Sequence, residues 1–227
     1  AYGAQDIYLT GNPQITFFKV VYRRHTNFSM ESIEQTFNGT ADFGKKVTCT
    51  ISRNGDLIHR VYLQVALPQV RVNGSSDAFR WVNWLGHALV KNVEVEIGGQ
   101  RIDKHYGDWL HIWNELTQTA GHQAGYANMV GNVPRLTQTV LGDAGTSALD
   151  REGCDEAACM PATTLYIPLQ FWFCRNPGLA LPLIALQYHE VKINLEFRNA
   201  SECYWTSNSA TLSPTTVSLA SASLYVD

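Results

Sequence analysis

The sequence predicts an all-β fold, an antiparallel sandwich, on three observations. Apolar and polar residues alternate with period two in several short segments, Gly, Asn and Pro separate those segments, and only two stretches carry helical spacing. With 227 residues, 45% of them hydrophobic, the chain can bury a sizeable core as one large β domain. No internal repeat or Pro/Ser-rich linker divides it, so one domain of about eight strands is expected.

Taken in order, Ala1 to Tyr22 is broken by Gly11-Asn12-Pro13-Gln14, yet Ile15, Phe17, Phe18, Val20, Val21 and Tyr22 demand burial. Pro and Gly disfavour a continuous element there, so residues 1–22 are expected to form an N-terminal arm outside the sandwich's own strands. Val47, Cys49 and Ile51 share one strand face, and His59, Val61, Leu63 and Val65 share a face of the next run. Asn54-Gly55 between them tolerates the backbone of a tight turn, which predicts a hairpin. A helix is expected near Trp81 to Val90, where Trp81, Trp84, Leu85, Ala88 and Leu89 fall on one stripe. Next, Val93, Val95 and Ile97 point inward, Glu94 and Glu96 outward, and Gly98-Gly99 reverses the chain. The second helix, Asp108 to Leu116, has Asp108 as its expected cap and Trp109, Ile112, Trp113 and Leu116 at helical spacing.

From Gln118 to Ala162 the periodicity gives way to Gly, Ala, Thr, Asn and Asp, which reads as a long surface loop (118–162) able to vary without unfolding the domain. The runs Thr163 to Phe173, His189 to Phe197 and Ser221 to Asp227 resume the strand pattern. Between them Pro177-Gly178 ends a strand and Pro182 denies an amide to any ladder, so Gly178 to Leu186 is a packed connector rather than a central strand. In the last long strand Val191, Ile193, Leu195 and Phe197 take one face and Glu190, Lys192, Asn194 and Glu196 the other.

Candidate chemistry is thin. His189 and Glu190 are neighbours in an extended run and point to opposite faces, so they do not converge on one atom. His105 and His111, with Asp103 and Asp108 nearby, lack the spacings that present metal ligands together. Cys154 and Cys159 have no further partners in sequence and read as free thiols; the five scattered cysteines suit a reducing compartment. Arg23-Arg24-His25 is a short basic cluster in a chain of net charge −3, a balance that argues against direct nucleic-acid binding. Asn27, Asn38, Asn73 and Asn199 stand in sequons and are the glycosylation candidates, read as chance matches because neither end shows a signal peptide. The aliphatic runs are far too short to cross a bilayer, and no phosphate-binding or nucleophile-elbow motif occurs. No enzyme, cofactor or metal is expected.

Four ordered blocks carry a family resemblance. Gly3 to Phe37 (GAQDIYLTGNPQITFFKVVYRRHTNFSMESIEQTF), Ile51 to Ile58 (ISRNGDLI), Glu96 to Trp109 (EIGGQRIDKHYGDW) and Asn176 to Ile193 (NPGLALPLIALQYHEVKI) resemble the major capsid proteins of nucleocytoplasmic large DNA viruses, of the algal-virus and giant-virus type. The resemblance implies a double jelly roll of which this chain holds the N-terminal jelly roll, an eight-stranded antiparallel sandwich, with the second jelly roll lying beyond it. It further implies a homotrimer forming a pseudo-hexagonal capsomer, with neighbouring capsomers and minor capsid proteins as partners and an inner membrane beneath the shell. The implied location is the virion, assembled in the host cytoplasm, with the 118–162 loop on the capsomer surface or between subunits. The alternative from the residues alone is a jelly-roll carbohydrate-binding or attachment module, which would gather aromatic and carboxamide or acidic side chains in one pocket.

Overall fold

The computed structural model describes residues 27–73, 77–141, 159–207 and 212–227. The chain divides into two units. Of the first, Ala1–Glu31, only residues 27–31 are described; the architecture is that of the second, Ser32–Asp227. The expected arm at residues 1–22 and the Arg23-Arg24-His25 cluster lie outside the described residues.

Eight strands build the two main sheets: β1 (Ile33–Thr36), β2 (Lys46–Thr50), β3 (Val61–Leu67), β4 (Val90–Ile97), β5 (Gln100–Tyr106), β6 (Thr163–Pro168), β7 (Val191–Phe197) and β8 (Ser221–Val226). One sheet has the order β1-β8-β3-β6 and the other β2-β7-β4-β5, with every pair antiparallel. Only β4 and β5 are both consecutive and paired; every other connection carries the chain from one sheet to the other, which is jelly-roll topology. Shorter pairings, such as Leu57–Ile58 with Leu181–Pro182 and Ala78–Trp81 with Tyr204–Thr206, form small separate sheets.

Alternation sets the faces as expected. Val61, Leu63, Val65 and Leu67 of β3 and Val191, Ile193, Leu195 and Phe197 of β7 are buried, and the residues between them are half-buried. Their inward faces join one core that also takes Trp81, Phe171 and Phe173. Each such side chain contributes about 1.5–3 kcal/mol by leaving water. Glu94, expected to point outward, is almost covered; Lys104 lies 2.9 Å from its carboxylate and holds it below the usual carboxylate range, with Arg101 at 3.4 Å.

Local turn chemistry succeeded once and failed once. Gly98 and Gly99 take the left-handed backbone (φ 60° and 83°) and close the β4–β5 hairpin. Asn54-Gly55 lies in a bend, yet no hairpin forms across it, because β2 pairs with β7 and β3 pairs with β6 and β8. A turn dipeptide fixes where the chain bends, and the partner is chosen by burial in the sandwich.

The helices also differ from expectation. Trp81 belongs to a strand, and helix α1 is only Leu85–Leu89, because Trp84 adopts a left-handed backbone (φ 54°) and starts it late. Helix α2 spans Gly107–Thr117, but its cap is Tyr106, and Asp108 instead lies 3.8 Å from Arg198. Its buried face is Gly107, Leu110 and Asn114, so Ile112 and Leu116 face solvent. The expected loop 118–162 contains helix α3 (Ala120–Val130) and helix α4 (Pro134–Thr137). Helix α3 has too few apolar residues to show a stripe, but Tyr126 and Val130, one turn apart, are buried, and Gly131 at φ 81° ends it. Helix α5 is Trp172–Arg175, and Leu181–Pro182 forms only a two-residue edge pairing, consistent with a connector.

Candidate functional site

A group of polar and aromatic side chains lies where α1, α2 and α3 meet. Gly107 begins α2 close against α1, with the carbonyl oxygens of His87 and Val90 where a side chain would stand. That closeness puts His111 of α2 beside His87 of α1, ring centres 5.6 Å apart, with the Trp84 indole 5.3 Å from each. The Tyr126 hydroxyl from α3 is 2.7 Å from His87 Nε2. Burial first, and His111 second, push His87 down to about 4, while burial pushes the Tyr126 hydroxyl up. At neutral pH the imidazole is therefore uncharged and the phenol protonated. The contacts among His87, His111, Trp84 and Tyr126 join the three helices.

The sequence candidates do not converge. Glu190 is bound to Lys192 at 2.9 Å, and His189 is exposed beside the Gly98 turn. His105, on β5, is buried edge-on against Phe171, and burial together with Arg175 lowers it to about 4. Asp103 accepts the Lys104 backbone N–H at 2.8 Å, and Asp108 is turned to Arg198. Asp103, His105, Gln170 and Arg175 do border a cavity of about 310 Å3. Among the described residues, no group of three or more His, Cys, Asp or Glu is placed to hold a metal.

Cys159 is disulfide-bonded, which corrects its reading as a free thiol: spacing along the sequence does not show which sulfurs the fold brings together. Cys154 lies outside the described residues. Cys49, Cys174 and Cys203 are free thiols, and burial pushes them up to about 11, 12 and 12, so they are poor nucleophiles. Asn27, Asn38 and Asn73 are exposed. Asn199 is exposed too, but its side chain caps the turn Ala200–Glu202, and the Glu202 carboxylate accepts the Asn199 N–H in return.

What the surface offers instead is apolar. Leu57, Leu179, Ile184 and Tyr188 are exposed around the Leu57–Ile58 and Leu181–Pro182 pairing, and Ile112 and Leu116 are exposed on α2. The 184–190 segment is held by Arg53, whose guanidinium donates to the carbonyls of Leu186, Gln187 and His189. Sequence reasoning missed this clamp, because Arg53 and its acceptors are more than 130 residues apart.

A two-sheet sandwich with jelly-roll topology, no converged catalytic group among its described residues and ordered apolar side chains left at its surface has the build of a virus coat subunit. The comparisons give the particular family. The chain belongs to the major capsid protein family: residues 16–227 match the family model described as the major capsid protein N-terminus. It is 64% identical over 227 residues to the major capsid protein of Pyramimonas orientalis virus, covering 100% of this chain and 50% of that one. It is 59% identical over 243 residues to that of Phaeocystis pouchetii virus, covering 100% of this chain and 46% of the other. Among solved structures, PBCV-1 VP54 fitted into a reconstruction of the virophage Sputnik matches with TM-score 0.66 and 36% identity, over 93% of this chain and 44% of that chain. The chain thus spans about half the length of the curated relatives it matches.

Proposed function

We propose that this chain is the N-terminal jelly roll of a subunit that builds an icosahedral virus shell. The observation that carries the reading is the 64% identity to a major capsid protein along the whole of this chain. In this reading a second jelly roll follows residue 227, and three copies associate into a pseudo-hexagonal capsomer. Capsomers then pack against each other and against minor capsid proteins, over an inner membrane, and assembly takes place in the host cytoplasm. The physical support is the surface: Leu116, Ile184 and Tyr188 are more than half exposed, an arrangement that suits burial against other copies. The role is mechanical. Rigid sheets transmit load, and loops and helices at their ends make contacts.

Residues 118–141 qualify the proposed part of the excursion in those contacts. Because Tyr126, Val130, Leu136 and Val140 are buried, this stretch is anchored in its own domain before it meets any neighbour. The sequons at Asn27, Asn38, Asn73 and Asn199 are chance matches in this reading; Asn27, Asn38 and Asn73 are exposed, whereas at Asn199 a glycan would have to displace a cap already made.

The test is composition and position. In purified particles, peptides of this chain should be the most abundant protein signal, and antibodies raised against it should decorate intact shells. A chain made in infected cells but missing from purified particles would contradict the reading.

A further inference from the structure

The meeting of α2, α3 and the Trp84 turn leaves a cavity of about 340 Å3. Its walls carry Trp84, Asn114, Glu115, Gln118, Gln123 and Asn132: one indole, four carboxamides and one carboxylate. We infer that this cavity is a saccharide site, taking a neutral pyranose ring of a glycan.

Asn114, more than nine-tenths buried, stands in the wall of the cavity beside Gln118. Two observations converge on a ligand. Trp84 holds a left-handed backbone (φ 54°, ψ 46°), which a bulky residue rarely adopts. That conformation is fixed by Asn132, whose Oδ1 accepts the Trp84 N–H at 3.3 Å, and by parallel stacking of the indole on His87 at 5.3 Å. The indole is thereby set rigidly at the cavity wall. Finally, Ala124 and Ala127 of α3 border the space with methyl groups, where longer side chains would fill it.

The lining chooses the ligand class. It contains no Lys, Arg or His, so an anion has nothing to pair with. Carboxamides offer both donors and acceptors, and Glu115 adds acceptors. A hydroxyl donates and accepts at once, so it can pair with the carboxamides of Gln118 and Gln123 in either orientation of each amide. Vicinal hydroxyls fit the paired oxygens and nitrogens of carboxamides, and the C–H face of a pyranose packs on an indole. A purely apolar ligand would leave these groups unpaired.

The glycan could be carried by a host cell or by the capsid itself, and the two sources share this chemistry. The full-length capsid protein, as assembled capsomers, should be tested by binding to two printed glycan sets, one released from host cells and one from purified particles. Glu115, Gln123 and Ala124 are exposed, so Glu115→Ala with Gln123→Ala, and separately Ala124→Trp, remove ligand contacts or block the space without touching the core. The expected result is saturable binding to at least one set, weakened on the order of tenfold or more by either change, with the melting temperature unmoved. Which set binds identifies the source. No binding to either set, binding indifferent to both changes, or capture of a guanidinium compound but no saccharide would overturn the assignment.

Discussion

Replacing Gly107 with Ala should unfold much of the helical layer, because the new methyl has no space. A Cβ at this position would lie 2.1 Å from the carbonyl oxygen of His87 and 2.4 Å from that of Val90, whereas ordinary contact begins near 3.4 Å. Both obstacles are backbone, so no rotamer change relieves them, and α2 must retreat by more than about 1 Å. That retreat loosens Leu110, now fully buried, and separates His111 from His87. Overpacking costs about 1–3 kcal/mol, and part of a leucine's burial, worth about 1.5–3 kcal/mol, is lost with it. A loss of about 3–5 kcal/mol is expected, a large share of the 5–15 kcal/mol typical of a domain. Gly125 on α3 supplies the control. Nothing lies within 4 Å of its Cβ position, so Gly125→Ala should stabilise the chain by about 0.5–1 kcal/mol through helix propensity. Urea unfolding of the chain followed by circular dichroism measures both. If Gly107→Ala is neutral, or if the two changes have the same sign, the packing argument is wrong.

Arg53→Met should free the 184–190 segment by removing three backbone contacts, costing about 1–3 kcal/mol locally. Faster hydrogen exchange confined to that segment would show it, and unchanged exchange would refute it. Stability should also fall with acid in a defined window. Unfolded imidazoles charge near pH 6.5, whereas burial holds His87 and His105 near 4, so between those values the unfolded chain binds more protons and each histidine removes up to about 3 kcal/mol. The carboxylates held low by their lysines, Glu94, Glu190 and Glu196, add to this only below about 4.5. Urea midpoints from pH 7.5 to 4.5 should therefore drop before those carboxylates titrate, and a flat profile down to pH 5 would contradict the burial of the histidines. Replacing residues 120–137 with a Gly/Ser linker should lower the melting temperature by well over 10 °C, because Val130 and Leu136 are fully buried; a change of only a few degrees would restore the reading of a dispensable loop.

The sequence reveals its strands wherever one side of the chain faces the core and the other faces water. The alternation in β3 and β7 and the Gly98-Gly99 turn could be read directly, since neighbours along the chain decide them. Pairing could not be read, because β1 meets β8 across some 190 residues, and a turn such as Asn54-Gly55 carries no information about distant strands. Helix α3 was hidden for another reason: with only Tyr126 and Val130 inside, its Gly, Ala and polar composition resembles a loop. In α2 Ile112 and Leu116 face out while Leu110 is buried, so periodicity identified the helix but placed two outward residues on its core face. The cavity beside Trp84 draws residues from three segments, and the closeness of α2 to α1 among them depends on Gly107, a single residue whose importance appears only when its neighbours are in place.

The central claim, a shell subunit that works by binding its own copies, is tested most directly by the solution mass of the full-length capsid protein containing this chain. Size-exclusion chromatography with light scattering should give three times the subunit mass at micromolar concentration. It should shift toward the single-subunit mass when the exposed Ile184 and Tyr188 are both replaced by Asp. A full-length protein that remains a folded monomer at every concentration would contradict the account.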